Sequence, residues 1–495
     1  LISETRRVRA VKPIAIYYSA ICHLFNEKPY LSMFDTGADN FFRVYELLHA
    51  KGYDVTFVTD RQIRENGDWL KSLGAIVLVD AKYIPLDVMD RLEAWVRDGG
   101  SILADAQSGS CDDHTFPTDR FTKFLGIQPK QRKKADDMAA EKLAFGYSAY
   151  SYDVVNSDDL WNTCSEVKDA PGGTHPISRM LDKTMISTFG CNDILCINGT
   201  QVLQGNNGNP FMVVRNEGKG TVAYFAGFLG QMYGAGLTSY EHSDQHGDDS
   251  PYRVMDAWAT WAGQRKVAVN DLPDLLSLGV RFESPLVDAK GNAMLGIVSQ
   301  LRSSVPSFRV KYVMPEGFKE PKLVLGSVNS SRRLVKLPFA WDAKTRELSV
   351  RMCGFRCWGN ILALNEIGPF VSVEAVNAKR DAYSLAWFRP GDEVEYRVKV
   401  YNPGSSVLAD GELELRLSDG WFCDREKASV GKIAAYGESA ELAFRVKAPA
   451  YNSCRKLEPV NFIYRSGEAV SSPAVEMTWF QKEPQNPKVQ SFGIR

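Results

Sequence analysis

Apolar residues in the first 106 positions fall alternately into short β-like runs and helical stripes. Four runs rich in β-branched residues have the length of buried parallel strands: residues 13–19, 53–59, 75–79 and 101–106. A stripe at i, i+3, i+4 and i+7 starts at Phe41 and predicts an amphipathic helix that ends at Gly52. A second stripe from Val88 to Val96 is stopped by Gly99. Repeated strand and helix units predict an open parallel sheet with helices packed on it.

The α/β pattern returns after residue 200 and then stops. The weaker segment before it contains a basic run at residues 130–134, which we interpret as a solvated loop and not as a phosphate site. Residues 210–215 and 221–226 flank a Gly-Lys-Gly turn and predict a hairpin. A helical face from Val254 to Ala262 follows it.

Beyond residue 273 the period of the apolar positions changes to two. Residues 307–313 and 347–352 alternate in this way between clusters of Pro, Gly, Asn and Ser, which predicts a β-sandwich. A second alternating set begins after Pro390-Gly391 and predicts a separate Ig-like sandwich. The expected division is residues 13–268, 271–372 and 373–482, with a tail at 483–495.

Composition excludes several classes of protein. The 59 basic and 60 acidic residues give a net charge of −1, so no global field attracts the chain to nucleic acid or to an anionic membrane. No apolar run reaches the length that spans a bilayer. Nine cysteines without a CxxC pair leave both a cytoplasmic and a periplasmic or secreted location open. The chain opens at Leu1 without a signal-like stretch, and we expect residues 1–12 to be a linker from an upstream domain.

Two segments carry a resemblance to a known family. The block that ends in GGSILAD (residues 99–105), together with the hairpin GKGTVAYF (residues 218–225), resembles the trimerisation domain of family 42 β-galactosidases, which is itself similar to class I glutamine amidotransferases. Residues 337–341 and 361–366 resemble the β-sandwich that follows that domain, and RPGD at 389–392 resembles Ig-like accessory domains of bacterial carbohydrate enzymes. The implied fold class is α/β plus all-β: a flavodoxin- or amidotransferase-like parallel-sheet domain followed by two β-sandwich, Ig-like domains.

The resemblance implies a carbohydrate substrate and a trimer. In that family a catalytic (β/α)8 barrel precedes the trimerisation domain, but this sequence has no eight successive β-α units and no assignable pair of carboxylates. We therefore expect the non-catalytic assembly and accessory portion of a β-galactosidase-like hydrolase, with its TIM barrel upstream or in trans and without a cofactor. The alternative is a stand-alone carbohydrate-binding or amidotransferase-like protein.

Cys111 is the candidate nucleophile of an amidotransferase-like site. Such enzymes place the thiol in a G-x-C-x-G turn between a strand and a helix. Here residues 109–113 read GSCDD, so the closing glycine is missing, and the two acids beside the sulfur disfavour a thiolate. His175 is followed by Pro176 and lacks the His-x-Glu pattern. We interpret Cys111 as a loop thiol.

His242 and His246 are a candidate metal pair. Their i, i+4 spacing would place them on one face of a helix. Ser243, Gly247 and the surrounding acids favour a loop, in which that geometry is lost. No metal site is therefore predicted.

Two loops form the predicted functional surface. Residues 20–40 leave the carboxyl end of the first strand, where open α/β sheets place their ligand crevices, and residues 107–114 leave the same edge. Aromatic rings beside carboxylates suit sugar binding; the alternative is that the loops pack on the barrel or on a neighbouring subunit. The candidate residues are His23, Phe34, Asp35, Asp39, Gln107, Asp112, Asp113 and His114.

Overall fold

The chain forms two compact units. The first unit is residues 11–266, and the second comprises residues 267–495 together with residues 1–10. The computed structural model describes residues 6–25, 36–130, 166–230 and 250–480, with internal gaps at 66, 106–107, 180–184, 187–193, 207, 228, 278, 300, 302–303, 329–332, 381–385, 450–455 and 472. Strand β1 (Arg6–Arg7) lies in the segment expected to be a linker and pairs with a strand of the second unit. No helix in these described ranges is long and apolar enough to cross a membrane.

The first unit alternates strands and helices. Its strands are β2 (Ile14–Tyr18), β3 (Val55–Thr59), β4 (Ala75–Leu78), β5 (Ser101–Asp105), β6 (Ile127–Pro129), β7 (Glu166–Asp169), β8 (Met185–Ile186), β9 (Ile194–Cys196), β10 (Thr200–Gly205), β11 (Pro210–Glu217) and β12 (Gly220–Phe225). Its helices are α1 (Ala20–Phe25), α2 (Thr36–Ala50), α3 (Asp60–Glu65), α4 (Gly67–Lys71), α5 (Leu86–Arg97), α6 (Arg120–Phe124) and α7 (Ser250–Trp261), with a 3₁₀ turn at Pro176–Arg179.

One nine-stranded sheet organises this unit, in the order β3-β2-β4-β5-β12-β11-β10-β7-β8. Strands β2, β3, β4, β5 and β12 pair in parallel, and the remaining strands are antiparallel. Strands β4 and β5 are buried at every position, as expected of central parallel strands that are covered on both faces. The predicted parallel sheet and hairpin are both present.

Two glycines allow the hairpin of β11 and β12 to pack closely against the end of α5, and so bring together the two segments of the family resemblance. The turn between β11 and β12 packs against the end of α5: a Cβ on Gly218 would lie 2.6 Å from the Arg97 carbonyl oxygen, and one on Gly220 would lie 2.0 Å from the Gly100 carbonyl oxygen. Gly218 also has a φ of 59°, which favours glycine. A larger residue at either position would separate the hairpin from the helix.

The segment of residues 20–40, predicted to be a long loop, differs from expectation. Helix α1 begins directly after β2, and α2 begins at Thr36, several residues before the apolar stripe. The first residues of α2 read Thr-Gly-Ala-Asp-Asn and carry no apolar period, so the hydrophobic pattern marks only the later part of the helix.

The second unit is built almost entirely of strands. These are β13 (Ala268–Asn270), β14 (Val280–Phe282), β15 (Leu286–Val287), β16 (Ala293–Ser299), β17 (Phe308–Val313), β18 (Leu323–Ser327), β19 (Leu334–Lys336), β20 (Phe339–Asp342), β21 (Glu347–Met352), β22 (Trp358–Leu364), β23 (Phe370–Ala375), β24 (Lys379–Arg380), β25 (Ala386–Phe388), β26 (Glu393–Asn402), β27 (Gly411–Arg416), β28 (Phe422–Cys423), β29 (Lys427–Val430), β30 (Gly437–Glu438), β31 (Leu442–Lys447), β32 (Lys456–Ser466), β33 (Ala469–Val470) and β34 (Ala474–Phe480). One short helix, α8 (Asp274–Ser277), precedes β14.

The described residues of this unit form four sheets. The first two have the orders β1-β15-β16-β22-β18-β19, with β14 beside β16, and β13-β17-β21-β20; Phe282 and Phe308 bring them into contact with ring centroids 6.3 Å apart. The other two have the orders β23-β26-β31-β28 and β24-β25-β34-β32-β27-β29. Their inner faces share one core, in which the rings of Tyr396 and Phe462 lie 5.7 Å apart. The alternating burial along β26 matches the period of two in the sequence.

Candidate functional site

Three aspartates mark the carboxyl edge of the parallel strands. Asp60 follows β3 directly, Asp80 lies two residues after β4, and Asp105 is the last residue of β5. Because the carboxyl ends of parallel strands meet at one edge, these side chains belong to the edge where α/β sheets bind ligands. Asp80 has a φ of 46°, a left-handed conformation that aspartate tolerates better than most residues.

The switch point of the sheet lies between β2 and β4. Strand β2 is flanked by β3 on one side and by β4 on the other. The connection from β2 to β3 and the connection from β3 to β4 therefore run in opposite directions across the sheet. The loops after these two strands contact one another: the Ser19 hydroxyl donates to the Tyr83 carbonyl oxygen at 3.2 Å, and the Tyr83 N–H donates to the Cys22 sulfur at 3.3 Å. Hydrogen bonds from Ser19 and Cys22 therefore join these two loops at the switch point.

Cys22 is the thiol at this switch point. Burial raises its pKa to about 11, with smaller contributions from the charges of Asp80 and Asp60. The thiol also donates to the Tyr83 carbonyl oxygen at 3.7 Å. A thiol with this pKa stays protonated near neutral pH, so Cys22 is a packing residue and a poor nucleophile.

The buried Tyr17 and the partly buried Asp60 form a polar pair beside the switch point. The Tyr17 hydroxyl donates a short hydrogen bond to Asp60 Oδ1, and Tyr17 is only 1% exposed. Burial raises the pKa of both groups. The carboxylates of Asp87 and Asp113 add to the rise for Asp60, whereas the Tyr17 hydrogen bond and the Arg64 charge oppose it.

Asp105 holds together the loops of the edge. It is fully buried, and its Oδ1 accepts the Asp80 N–H at 2.5 Å while its Oδ2 accepts the Leu229 N–H at 3.3 Å. The Ser108 hydroxyl, equally buried, donates to the Leu78 carbonyl oxygen at 3.1 Å and accepts the Ala81 N–H at 3.0 Å. One carboxylate and one hydroxyl thus tie the loop after β4 to the loop after β5.

Cys111 lies in an extended segment and not in a nucleophile turn. Its N–H donates to the Lys82 carbonyl oxygen at 3.0 Å, and its own carbonyl oxygen accepts the Ile84 N–H at 3.1 Å. The next helix, α6, begins only at Arg120. His175 packs on Trp261, with ring centroids 5.1 Å apart, and its Nδ1 accepts the Ile177 N–H at 3.3 Å. The strand-to-helix elbow that would project the Cys111 thiol is therefore not formed.

A polar turn follows Cys111. Asp112 Oδ1 accepts the N–H groups of His114 and Phe116, each at 2.9 Å, and His114 Nδ1 lies 3.1 Å from Asp113 Oδ1. The ligand atoms of Asp112, Asp113 and His114 lie within 4.8 Å of one another, but the backbone hydrogen bonds of the turn account for this arrangement. Phe116, two residues further on, is 67% exposed.

The predicted site residues are described unequally. His23 lies on α1 and Asp39 on α2, and at these two positions only the backbone is described. Phe34, Asp35, Gln107, His242 and His246 lie outside the described residues. Asp112, Asp113 and His114 form the turn above. The sequence analysis missed Tyr17, Asp60, Asp80, Tyr83 and Asp105. A usable signal was present, because an aspartate stands at or just after the end of each of three successive strands.

No family model matches the chain, and no curated protein matches it. Its structural neighbours include GH42 β-galactosidases. The enzyme of Bacillus circulans sp. alkalophilus has 11% sequence identity and a TM-score of 0.45, with 73% of this chain and 42% of that chain covered. The cold-adapted enzyme of Rahnella sp. R3 has 15% sequence identity and a TM-score of 0.43, with 72% of this chain and 41% of that chain covered. The enzyme of the haloarchaeon Halorubrum lacusprofundi has 14% sequence identity and a TM-score of 0.40, with 72% of this chain and 41% of that chain covered. The chain thus spans about two fifths of the length of these enzymes.

Proposed function

We propose that this chain is the non-catalytic assembly and accessory portion of a bacterial glycoside hydrolase of the β-galactosidase type. Its amidotransferase-like α/β unit serves oligomer contacts and rims an active site that a TIM barrel supplies. The support is the family resemblance of the sequence together with the state of the carboxyl edge. Among the described residues, hydrogen bonds join the loops of that edge, and the turn of residues 112–116 presents polar and aromatic groups.

The single observation that carries the proposal is the turn of residues 112–116. It presents two carboxylates, an imidazole and the exposed ring of Phe116 next to one another. Carboxylates accept hydrogen bonds from sugar hydroxyls, and an aromatic ring packs on the apolar face of a sugar. The same groups also suit a polar contact with a barrel domain, so the turn is the expected rim of the shared site.

The two thiols of the edge support a non-catalytic role. Cys22 has a raised pKa and is held by the Tyr83 backbone, and Cys111 lies in an extended segment without a nucleophile elbow. An amidotransferase-like enzyme is therefore the weaker candidate. Its direct test is ammonia release from glutamine by the intact chain: the proposal expects none, and an activity that Cys111→Ala abolishes would refute it.

Sugar contact at the turn is tested by NMR titration of the full chain with galactose and β-galactosides. Phe116→Ala and Asp113→Asn are the test variants. Phe422→Ala is the matched control, because Phe422 is 65% exposed and lies in the other unit. We expect chemical-shift changes with a millimolar dissociation constant in the wild-type chain and in the control. In both test variants the affinity should be at least tenfold weaker.

Assembly is tested by sedimentation velocity of the chain alone and of the native protein from its source. The proposal expects a trimer, with a barrel-bearing segment on the same polypeptide or bound to it. A native protein that is monomeric and associates with no barrel would contradict the assembly role. Sugar shifts that persist in Phe116→Ala and Asp113→Asn would contradict the role of the turn.

A further inference from the structure

The two sandwiches of the second unit share a buried apolar cluster. Five leucines of the first sandwich pack with two aromatic residues of the second, and this junction cluster consists of Leu323, Leu325, Leu334, Leu362, Leu364, Phe370 and Tyr401. The rings of Phe370 and Tyr401 stack with centroids 5.3 Å apart and an interplanar angle of 22°. Tyr401 is 1% exposed and Leu364 fully buried, so the junction is as dry as the interior of a domain.

Polar bonds cross the same junction at the edge strand β19. Leu334 donates its N–H to the Ser372 hydroxyl at 2.8 Å and accepts the Tyr401 hydroxyl at 2.7 Å on its carbonyl oxygen. Both backbone groups of one edge-strand residue are thus satisfied by side chains of the other sandwich. Unpaired edge groups are a liability in β proteins, and here the second sandwich covers them.

Charged side chains close the rim of the junction. Arg333 binds Glu374 at 2.9 Å, and on the far side the Lys336 ammonium donates to the Tyr436 carbonyl oxygen at 3.0 Å. A cavity between Arg333, Glu374 and Arg397 has a volume of about 20 Å³. This space accommodates one water molecule and not a sugar, so the polar groups join the two sandwiches and do not form a ligand site.

We infer that the second sandwich is a clamp on the first, and that the two sandwiches open and unfold as one cooperative body. The last sandwich is then not a hinged accessory module: it completes the core of its neighbour and caps the edge of β19. This inference concerns residues 323–401 and does not depend on the proposed carbohydrate function.

Hydrogen exchange on the full chain tests the inference. Leu334→Ala removes a side chain of the first sandwich from the junction, and the readout is the exchange of residues 371–375 and 394–401 in the second. Burial of a leucine of this kind makes us expect about 100-fold faster exchange there. Tyr401→Phe removes the hydroxyl that donates to the Leu334 carbonyl oxygen and that also interacts with Glu438 of its own sandwich. It is expected to speed exchange of residues 334–336 about fivefold to tenfold.

Tyr312→Phe is the matched control. Tyr312 is also fully buried, and its hydroxyl donates to the Gly296 carbonyl oxygen at 3.1 Å, but that bond lies within the first sandwich. The control should speed exchange of residues 293–299. The ratio between the exchange rates of the junction strands and those of residues 293–299 should stay as in the wild-type chain. Unchanged exchange of residues 371–375 in Leu334→Ala, or separate calorimetric transitions for the two sandwiches in the wild-type chain, would overturn the clamp. If Leu334→Ala does not fold, Tyr401→Phe decides by itself: an unaltered hydrogen-exchange rate of residues 334–336 would overturn the clamp.

Discussion

Asp105 offers the sharpest test of how the carboxyl edge is organised. Its two carboxylate oxygens accept backbone N–H groups from two different loops, at 2.5 Å from Asp80 and 3.3 Å from Leu229. The substitution Asp105→Asn keeps the shape of the side chain but turns one acceptor into a donor. In either orientation of the amide, one of these buried N–H groups then faces an NH2 group.

The expected cost follows from these bonds. A hydrogen bond to a charged group contributes about 1.5–3 kcal/mol, and a buried donor left without an acceptor costs about 1–3 kcal/mol. Relief from burying a charge offsets part of this sum, so we expect a net loss of about 2–4 kcal/mol. The loss should appear as local opening of residues 78–84, because the Asp80 N–H loses a charged acceptor in either orientation of the amide and loses its acceptor entirely in one of them.

Hydrogen exchange of residues 78–84 measures this opening directly. A change of about 2.7 kcal/mol corresponds to about 100-fold faster exchange. Asp68→Asn is the control: the Asp68 side chain is 95% exposed and pairs only with Lys71, so its exchange should stay near wild type. Exchange in Asp105→Asn within twofold of wild type would refute the view that this carboxylate organises the edge.

Three further predictions concern titration, reactivity and stability. Burial raises the folded-state pKa of Asp60 above its unfolded value, so this group favours the fold at low pH and loses that contribution as pH rises through the folded pKa. The melting temperature of Asp60→Asn should therefore rise relative to that of the wild-type chain between pH 4 and pH 7. A relative fall of the melting temperature would contradict the direction of the pKa shift. Cys22, with a pKa of about 11, should react with iodoacetamide at pH 8 about 100-fold more slowly than a peptide thiol, as followed by peptide mass spectrometry, and equal rates would exclude the buried position. Asn292 is fully buried, and its side chain makes four hydrogen bonds, to Asp288, Asn365 and the two backbone groups of Glu366. Asn292→Ala should therefore lower the stability of the second unit by about 2–4 kcal/mol in urea unfolding, and a loss under 0.5 kcal/mol would contradict this role.

The elements that bury a whole face were predictable from the sequence. Strands β4 and β5 are apolar throughout because both their faces are covered, and β26 alternates because only one face is buried. The hairpin of residues 210–225 was predictable because glycines flank its turn. Helix α1 and the start of α2 were not, because short or polar helical segments leave no periodic apolar trace.

The candidate site was predictable only as an edge of the sheet. Aspartates after successive strands are visible in the sequence, but which of them meet depends on strand order, and the order β3-β2-β4 arises from the crossovers. No local pattern indicates that Ser19 and Cys22 reach Tyr83 at the switch point. These contacts join residues about sixty positions apart.

By itself the sequence determined the class of each region, because hydrophobic period is a local property that reports which faces are buried. It also determined that Cys111 lacks the residues of a nucleophile turn. Only the tertiary structure decided that Asp105 ties two loops together, and that Ser19 and Cys22 contact Tyr83 at the switch point. It also decided that the backbone groups of Leu334 bond to Ser372 and Tyr401 of the neighbouring sandwich. Hydrogen bonds between distant segments depend on the packing of whole sheets, and no local pattern of residues encodes that packing.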